Sequence, residues 1–220
     1  NLFFAPMRLF FLLLVLLFSA APCLLAQARP MPFAGGTAFT AQIAEAEQTL
    51  FIRHSVTRRF APGLLWSEFA APGQPGDVTA LAPHLTWLVR RWNTRTRQAN
   101  LYALGGPAFY RNAGDSFNGG WGSIQADAES RRWYGMVKSA QWWAPGHFTR
   151  REYAARVGWA PWLAGFDDLN TWFMLETGYK PAAARTTTLR PLVRFYTRTV
   201  LVELGSSLQG DPFLNLSFEF

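Results

Sequence analysis

The 220-residue chain has a single cysteine, Cys23, which excludes a disulfide framework and any thiolate metal cluster. Charge is scarce as well: 16% of the residues are Asp, Glu, Lys or Arg, against roughly 25% in an ordinary soluble domain. A long apolar run is also missing. The longest, at 9–18, is about half of the roughly 20 residues that a helix needs to cross the hydrocarbon of a bilayer. If the chain beyond it enters a membrane, it must do so as strands that pair with one another.

What the chain does have is apolar and aromatic mass. Half of its residues are hydrophobic, with 10 Trp, 6 Tyr and 19 Phe spread along it, so something other than water must face those rings. The formal net charge is +7. Basic proteins seek polyanions, and for an exported chain the expected partner is the phosphate-bearing lipid and lipopolysaccharide of a bacterial surface rather than nucleic acid.

Export is read from the first 28 residues. Met7 and Arg8 precede the apolar run, and Ser19, Ala20, Ala21 and then Ala26-Gln27-Ala28 follow it. Positive start, short apolar centre and small residues form the order of a secretory signal peptide, with cleavage expected after Ala28. Cys23 leaves with it, and so does Arg8. The mature chain then holds 20 bases and 14 acids, a net charge of 20 minus 14, or +6.

Beyond that point the hydrophobic pattern has period two. Leu81, Pro83, Leu85, Trp87 and Val89 alternate with Ala82, His84 and Thr86, and Gly122, Ile124, Ala126 and Ala128 with Ser123, Gln125, Asp127 and Glu129. Tyr153, Ala155, Val157 and Trp159 oppose Glu152, Arg156 and Gly158; Leu169, Thr171, Phe173 and Leu175 oppose Trp172, Met174 and Glu176. Leu189, Pro191, Val193 and Phe195 face away from Arg190 and Arg194. Segments of about ten residues, apolar on one face and polar on the other, are the signature of a transmembrane β-barrel strand.

The expected fold is therefore all-β, an antiparallel transmembrane barrel over 49–220, preceded at 29–48 by a periplasmic segment or short helix. The count is ten strands, at 49–58, 79–92, 98–111, 119–129, 132–143, 150–161, 169–179, 186–196, 199–205 and 212–220. Twelve result if 64–70 and 37–43 are added, and eight if weak segments merge. An even number returns both ends to the periplasm. Longer loops are expected at 112–118, 144–149, 180–185 and 206–211. Short turns are expected at 93–97, 130–131 and 197–198, with 162–168 too long for its side.

The chain stops on a strand of its own. Leu214, Leu216, Phe218 and Phe220 share one face, with Asn215, Ser217 and Glu219 on the other. A terminal Phe preceded by apolar residues at every second position resembles the C-terminal assembly signal of bacterial outer-membrane β-barrel proteins. The resemblance implies recognition by periplasmic chaperones and by the barrel-assembly machinery.

Chemistry is harder to find. His54 beside Ser55, His84 near Thr86 and His147 near Thr149 are the candidates for a nucleophile and base, yet none stands in a recognisable lipid-hydrolase or acyltransferase motif. Asp167-Asp168 lacks the further oxygen ligands of a cation site and reads as a turn or cap. Gly105-Gly106-Pro107 and Gly119-Gly120-Trp121-Gly122 lack the strand-to-helix setting of a phosphate loop, so no cofactor is expected. The alternation does send Asp127, Glu129, Glu152, Glu176, Glu219, Arg156, Arg190 and Arg194 inward. They are expected to form a charge network that either fills the lumen or lines a narrow polar path. The sequence thus favours a non-enzymatic outer-membrane barrel, structural or channel-forming. A lipid-modifying barrel enzyme and an exported ligand-binding sandwich are the alternatives.

Overall fold

The computed structural model describes residues 30–44, 47–165, 168–181, 183 and 186–220. The expected signal peptide at 1–28, with Cys23, and Asp167 lie outside the described residues. Among the described residues the chain forms β1 (Thr37–Ala44), β2 (Glu47–His54), β3 (Phe60–Ala70), β4 (Asp77–Asn93), β5 (Arg97–Asn112) and β6 (Asp115–Ser130). These are followed by β7 (Trp133–Ala144), β8 (Phe148–Trp159), β9 (Asn170–Tyr179), β10 (Thr187–Thr197), β11 (Val200–Ser206) and β12 (Pro212–Glu219). Each strand pairs antiparallel with its chain neighbours, and β1 pairs with β12, so the sheet closes into a barrel.

The count of ten is corrected to twelve, the number reached when 37–43 and 64–70 are added. Residues 29–48 are not simply an appendage, since they supply β1 and the start of β2. Both added strands have a muted pattern. The outward row of β1 is Phe39, Ala41 and Ile43, with a small residue in its centre. In β3 Pro62 and Gly63 break the apolar row, yet both are paired within the sheet. A Cβ on Gly63 would lie 2.4 Å from the Ile52 carbonyl and 2.8 Å from both the Arg53 and the His84 side chains.

The loops differ as well. Of the expected loop at 112–118, only Ala113 and Gly114 turn the chain, and the rest is strand. Gly119, inside β6, is there for close approach and not for a bend: a Cβ would fall 1.9 Å from the carbonyl oxygen of Trp143 on β7. The segment 144–149 likewise tightens to 145–147. The long connection is 160–169, on the end that also carries the termini.

Alternation sorts the side chains. Leu85, Ile124, Val137, Val157, Phe173 and Leu204 are exposed on the outer wall around the barrel, an arrangement that suits lipid and not water. Trp87, Trp133 and Trp159 ring the terminal end of this band, and Trp143, Tyr153 and Tyr179 ring the other. In β4 the register shifts between Leu88 and Arg90, so the alternation changes phase there and Arg91 turns in towards Asn100.

The interior is not polar throughout, as the alternation had suggested. One wall, from β3 to β8, is packed with rings: Phe69 lies 5.1 Å from Trp142, Trp142 lies 5.5 Å from Trp121, and Tyr110 lies 5.1 Å from Phe148. Leu65, Val78 and small alanines at 80, 82, 108 and 144 fill the space between them. Most of the lumen charges face it from β8 to β12, with Asp127 and Glu129 on β6 and Glu47 and Arg53 on β2.

Candidate functional site in the barrel lumen

Strand register places the charges of β8 to β12 in two rows. In the first, Arg156, Glu176 and Arg190 are direct cross-strand neighbours on β8, β9 and β10. Arg156 donates to Glu176 Oε2 at 2.5 and 2.9 Å, and Arg190 donates to Oε1 of the same carboxylate at 2.7 Å. In the second row, Arg194, Glu203 and Asn215 are neighbours on β10, β11 and β12. Arg194 donates to Glu203 Oε1 at 2.7 Å and Asn215 donates to its Oε2 at 2.9 Å. Arg156 joins the rows through a 2.8 Å bond to Glu203.

A second knot lies nearer the end opposite the termini. Arg150 pairs with Glu47 at 2.5 Å and with Glu152 at 2.9 Å, and Lys180 pairs with Glu47 at 3.2 Å. Rings and charges meet between the two walls: the Arg150 guanidinium sits 4.2 Å from the centre of Phe69, and that of Arg194 sits 4.8 Å from Tyr134. Such contacts stabilise a desolvated cation that would otherwise be costly to bury.

The remaining predicted residues are at the terminal end. Asp127 accepts from Asn100 at 2.7 Å and from Gln125 at 3.3 Å. Glu129 lines the terminal mouth of the lumen. Glu219 accepts from the backbone N–H of Phe33 at 2.8 Å, which fixes a segment that enters the mouth. That segment is held further by Arg53, which donates to the Pro30 carbonyl at 2.7 Å, and by Met31 against Ala61, Leu88 and Tyr102. Leu214, Leu216 and Phe218 alternate with the lumen-facing, buried Asn215, Ser217 and Glu219.

Sequence reasoning missed Glu203, Glu47, Arg150 and Arg53. Glu203 is the hub of the network, and only its parity with Leu201 could have pointed inward. The histidines stand apart from one another. His54 faces the Thr37 hydroxyl at 3.0 Å, His84 is wedged edge-on between Phe51 and Trp121, and His147 stacks on Phe117 at 4.1 Å. His54 thus meets a hydroxyl, but none of these contacts brings a histidine an orienting acid, the third member that acyl-transfer chemistry needs. Asp168 accepts from the Gly165 N–H at 2.8 Å in a turn. Among the described residues no group of three or more His, Cys, Asp or Glu is placed to hold a metal ion.

Two cavities run through the lumen. One of about 240 Å³ lies between the two walls, lined by Trp121 and Trp142 as well as by Glu47, Lys180 and Arg194, and one of about 900 Å³ lies at the terminal mouth. Tyr134 and Arg194 line both and stand between them.

No family model matches the chain, and no curated protein matches it. Among solved structures it is similar to a KdgM porin in complex with disordered oligogalacturonate. The identity is 9% and the TM-score 0.47, over 84% of this chain and 98% of the other. It is similar also to a second structure titled KdgM porin, at 10% identity and TM-score 0.45, with the same shares covered.

Proposed function

We propose that this protein is a bacterial outer-membrane β-barrel with a narrow, charge-lined path for ions, selective for anions. The observation that carries this reading is the pair of lumen cavities that share Arg194 and Tyr134 as wall. The central one is lined by six basic side chains and four acidic ones. It holds only about 240 Å³, so the path through it is narrow. Side chains with fixed charge at such a constriction select by sign. The excess of two cations, six minus four, favours anions.

The membrane half of the reading rests on the exposed apolar outer wall and its aromatic rings. Export through the cleaved segment at 1–28 brings the chain there, with both chain termini on the periplasmic side and lipid and lipopolysaccharide as surroundings. Periplasmic chaperones and the barrel-assembly machinery recognise Leu214, Leu216, Phe218 and Phe220, and Phe220→Ser lowers the amount inserted. Planar-bilayer recording tests the channel: small, uniform conductance steps are expected, with a reversal potential displaced towards that of the anion in a salt gradient. A membrane-inserted protein without steps sinks the channel and leaves a structural barrel. Recovery of the protein from the periplasm without detergent sinks the membrane assignment itself.

A further inference from the structure

The basic charge of the chain is not shared between the two ends of the barrel. Arg58 and Arg59 lie in the β2–β3 connection, Arg95 in β4–β5, Arg131 and Arg132 in β6–β7, and Arg198 in β10–β11. All six are exposed, and all lie at the end that carries the termini. Acids at that end are turned away from the rim: Asp127 and Glu219 are buried, and Glu129 lines the mouth. Among the described residues Asp168 is the exposed acid there. At the opposite end exposed Arg111 and Arg151 are balanced by exposed Asp77 and Asp115.

A basic rim on four of five connections has a specific neighbour, the aromatic band just inside it. Trp92 and Trp133 are exposed at the ends of β4 and β7, Phe60 stacks on Trp87 with centroids 6.3 Å apart, and the Arg90 guanidinium lies 5.3 Å from the centre of the Trp92 ring. Exposed Trp rings mark the depth where hydrocarbon gives way to headgroups. Guanidinium groups held one step further out are at the depth of lipid phosphates, which Arg binds through two parallel N–H bonds.

We propose that this rim binds the headgroups of anionic phospholipids in the leaflet at the terminal end of the barrel, and so sets its depth and lipid surroundings. The assignment rests on the membrane-spanning reading above. A soluble polyanion would need the arginines but not the ring of tryptophans beside them.

The test uses the whole barrel reconstituted in phosphatidylcholine vesicles containing either brominated phosphatidylglycerol or the same fraction of brominated phosphatidylcholine, with tryptophan quenching as the readout. Local enrichment of the anionic lipid by about threefold or more is expected, given the favourable contribution of each basic residue at an anionic surface. It should fall to parity in the Arg58→Gln, Arg59→Gln, Arg131→Gln, Arg132→Gln variant, and also at molar salt in the unaltered protein, which decides the matter if the variant does not fold. Equal quenching by the two lipids overturns the proposal and leaves the rim to a soluble polyanion. A preference that survives both the variant and the salt overturns it too. Absence of quenching by either lipid would instead remove the membrane-spanning reading, so the two failures are distinct.

Discussion

Arg194 and Glu203 stand directly opposite each other on β10 and β11, guanidinium and carboxylate 2.7 Å apart, with the Glu203 side chain fully buried. The same carboxylate also takes Arg156 and Asn215, so its removal costs three partners an acceptor at once, although Arg156 keeps Glu176. Glu203→Ala is expected to cost about 3 to 5 kcal/mol, the range for breaking a buried pair. Glu203→Gln, which keeps the shape and one acceptor, should cost less. Urea unfolding of the barrel refolded in vesicles measures both, and a loss under about 1 kcal/mol for the alanine variant would refute the hub.

On the outer wall Val157 and Ile124 are each 60% exposed in mid-strand. Val157→Arg and Ile124→Arg should each destabilise the inserted barrel by about 2 to 4 kcal/mol, the cost of an arginine facing lipid near the midplane. Val157→Ala is the control and should cost far less. Inward controls at Thr86 and Gly158 are unsuitable. Thr86 is fully buried, and a Cβ on Gly158 would already meet Met174 at 2.7 Å. If the arginine and alanine variants unfold at the same urea concentration, the outer wall does not face hydrocarbon.

Conductance should respond at the two residues that stand between the cavities. Arg194→Ala removes a cation and widens the junction with Tyr134, so single-channel conductance is expected to rise while anion preference falls. Tyr134→Ala should widen it without the change in selectivity. Opposite behaviour of the two in reversal-potential measurements would place the constriction elsewhere.

The β5–β6 turn offers a gain. Ala113 and Gly114 have φ values of 49° and 97°, the two positive angles of a tight hairpin turn, and alanine is poorly suited to the first of them. Ala113→Asn should stabilise the barrel by a few tenths to about 1 kcal/mol. Gly114→Val should destabilise it by more, as read from the same urea transition.

How much of this was legible in the sequence follows from local contrast. β8 is legible because Tyr153, Val157 and Trp159 differ sharply from Glu152 and Arg156, and β12 is legible for the same reason. β11 is blurred because Val200, Leu201, Val202 and Leu204 are apolar on both faces, and Glu203 disappears among them. Arg150-Arg151 and Trp142-Trp143 are doublets with one member inside and one outside, and composition cannot say which. That ambiguity hides the aromatic wall of the lumen and the Arg150 knot. Phase itself is lost at Val89, where the register shift of β4 reverses inside and outside, so Arg91 cannot be placed from the upper half of its own strand.

The seam between β1 and β12 has a consequence for how such a chain is made. Thr37 and Phe220 exchange backbone hydrogen bonds of 2.6 and 2.9 Å although they stand 183 positions apart, 220 minus 37. Every other strand pairing joins consecutive strands and can zip up hairpin by hairpin from its own turn. Folding is thus a succession of short-range steps followed by one long-range weld, and the equilibrium entropy of that closure grows only slowly with chain length. Its difficulty is one of search, because until the weld forms two unpaired strand edges are open to any other chain. The hazard in the life of this protein is concentrated in the interval when eleven strand pairings exist and the twelfth does not.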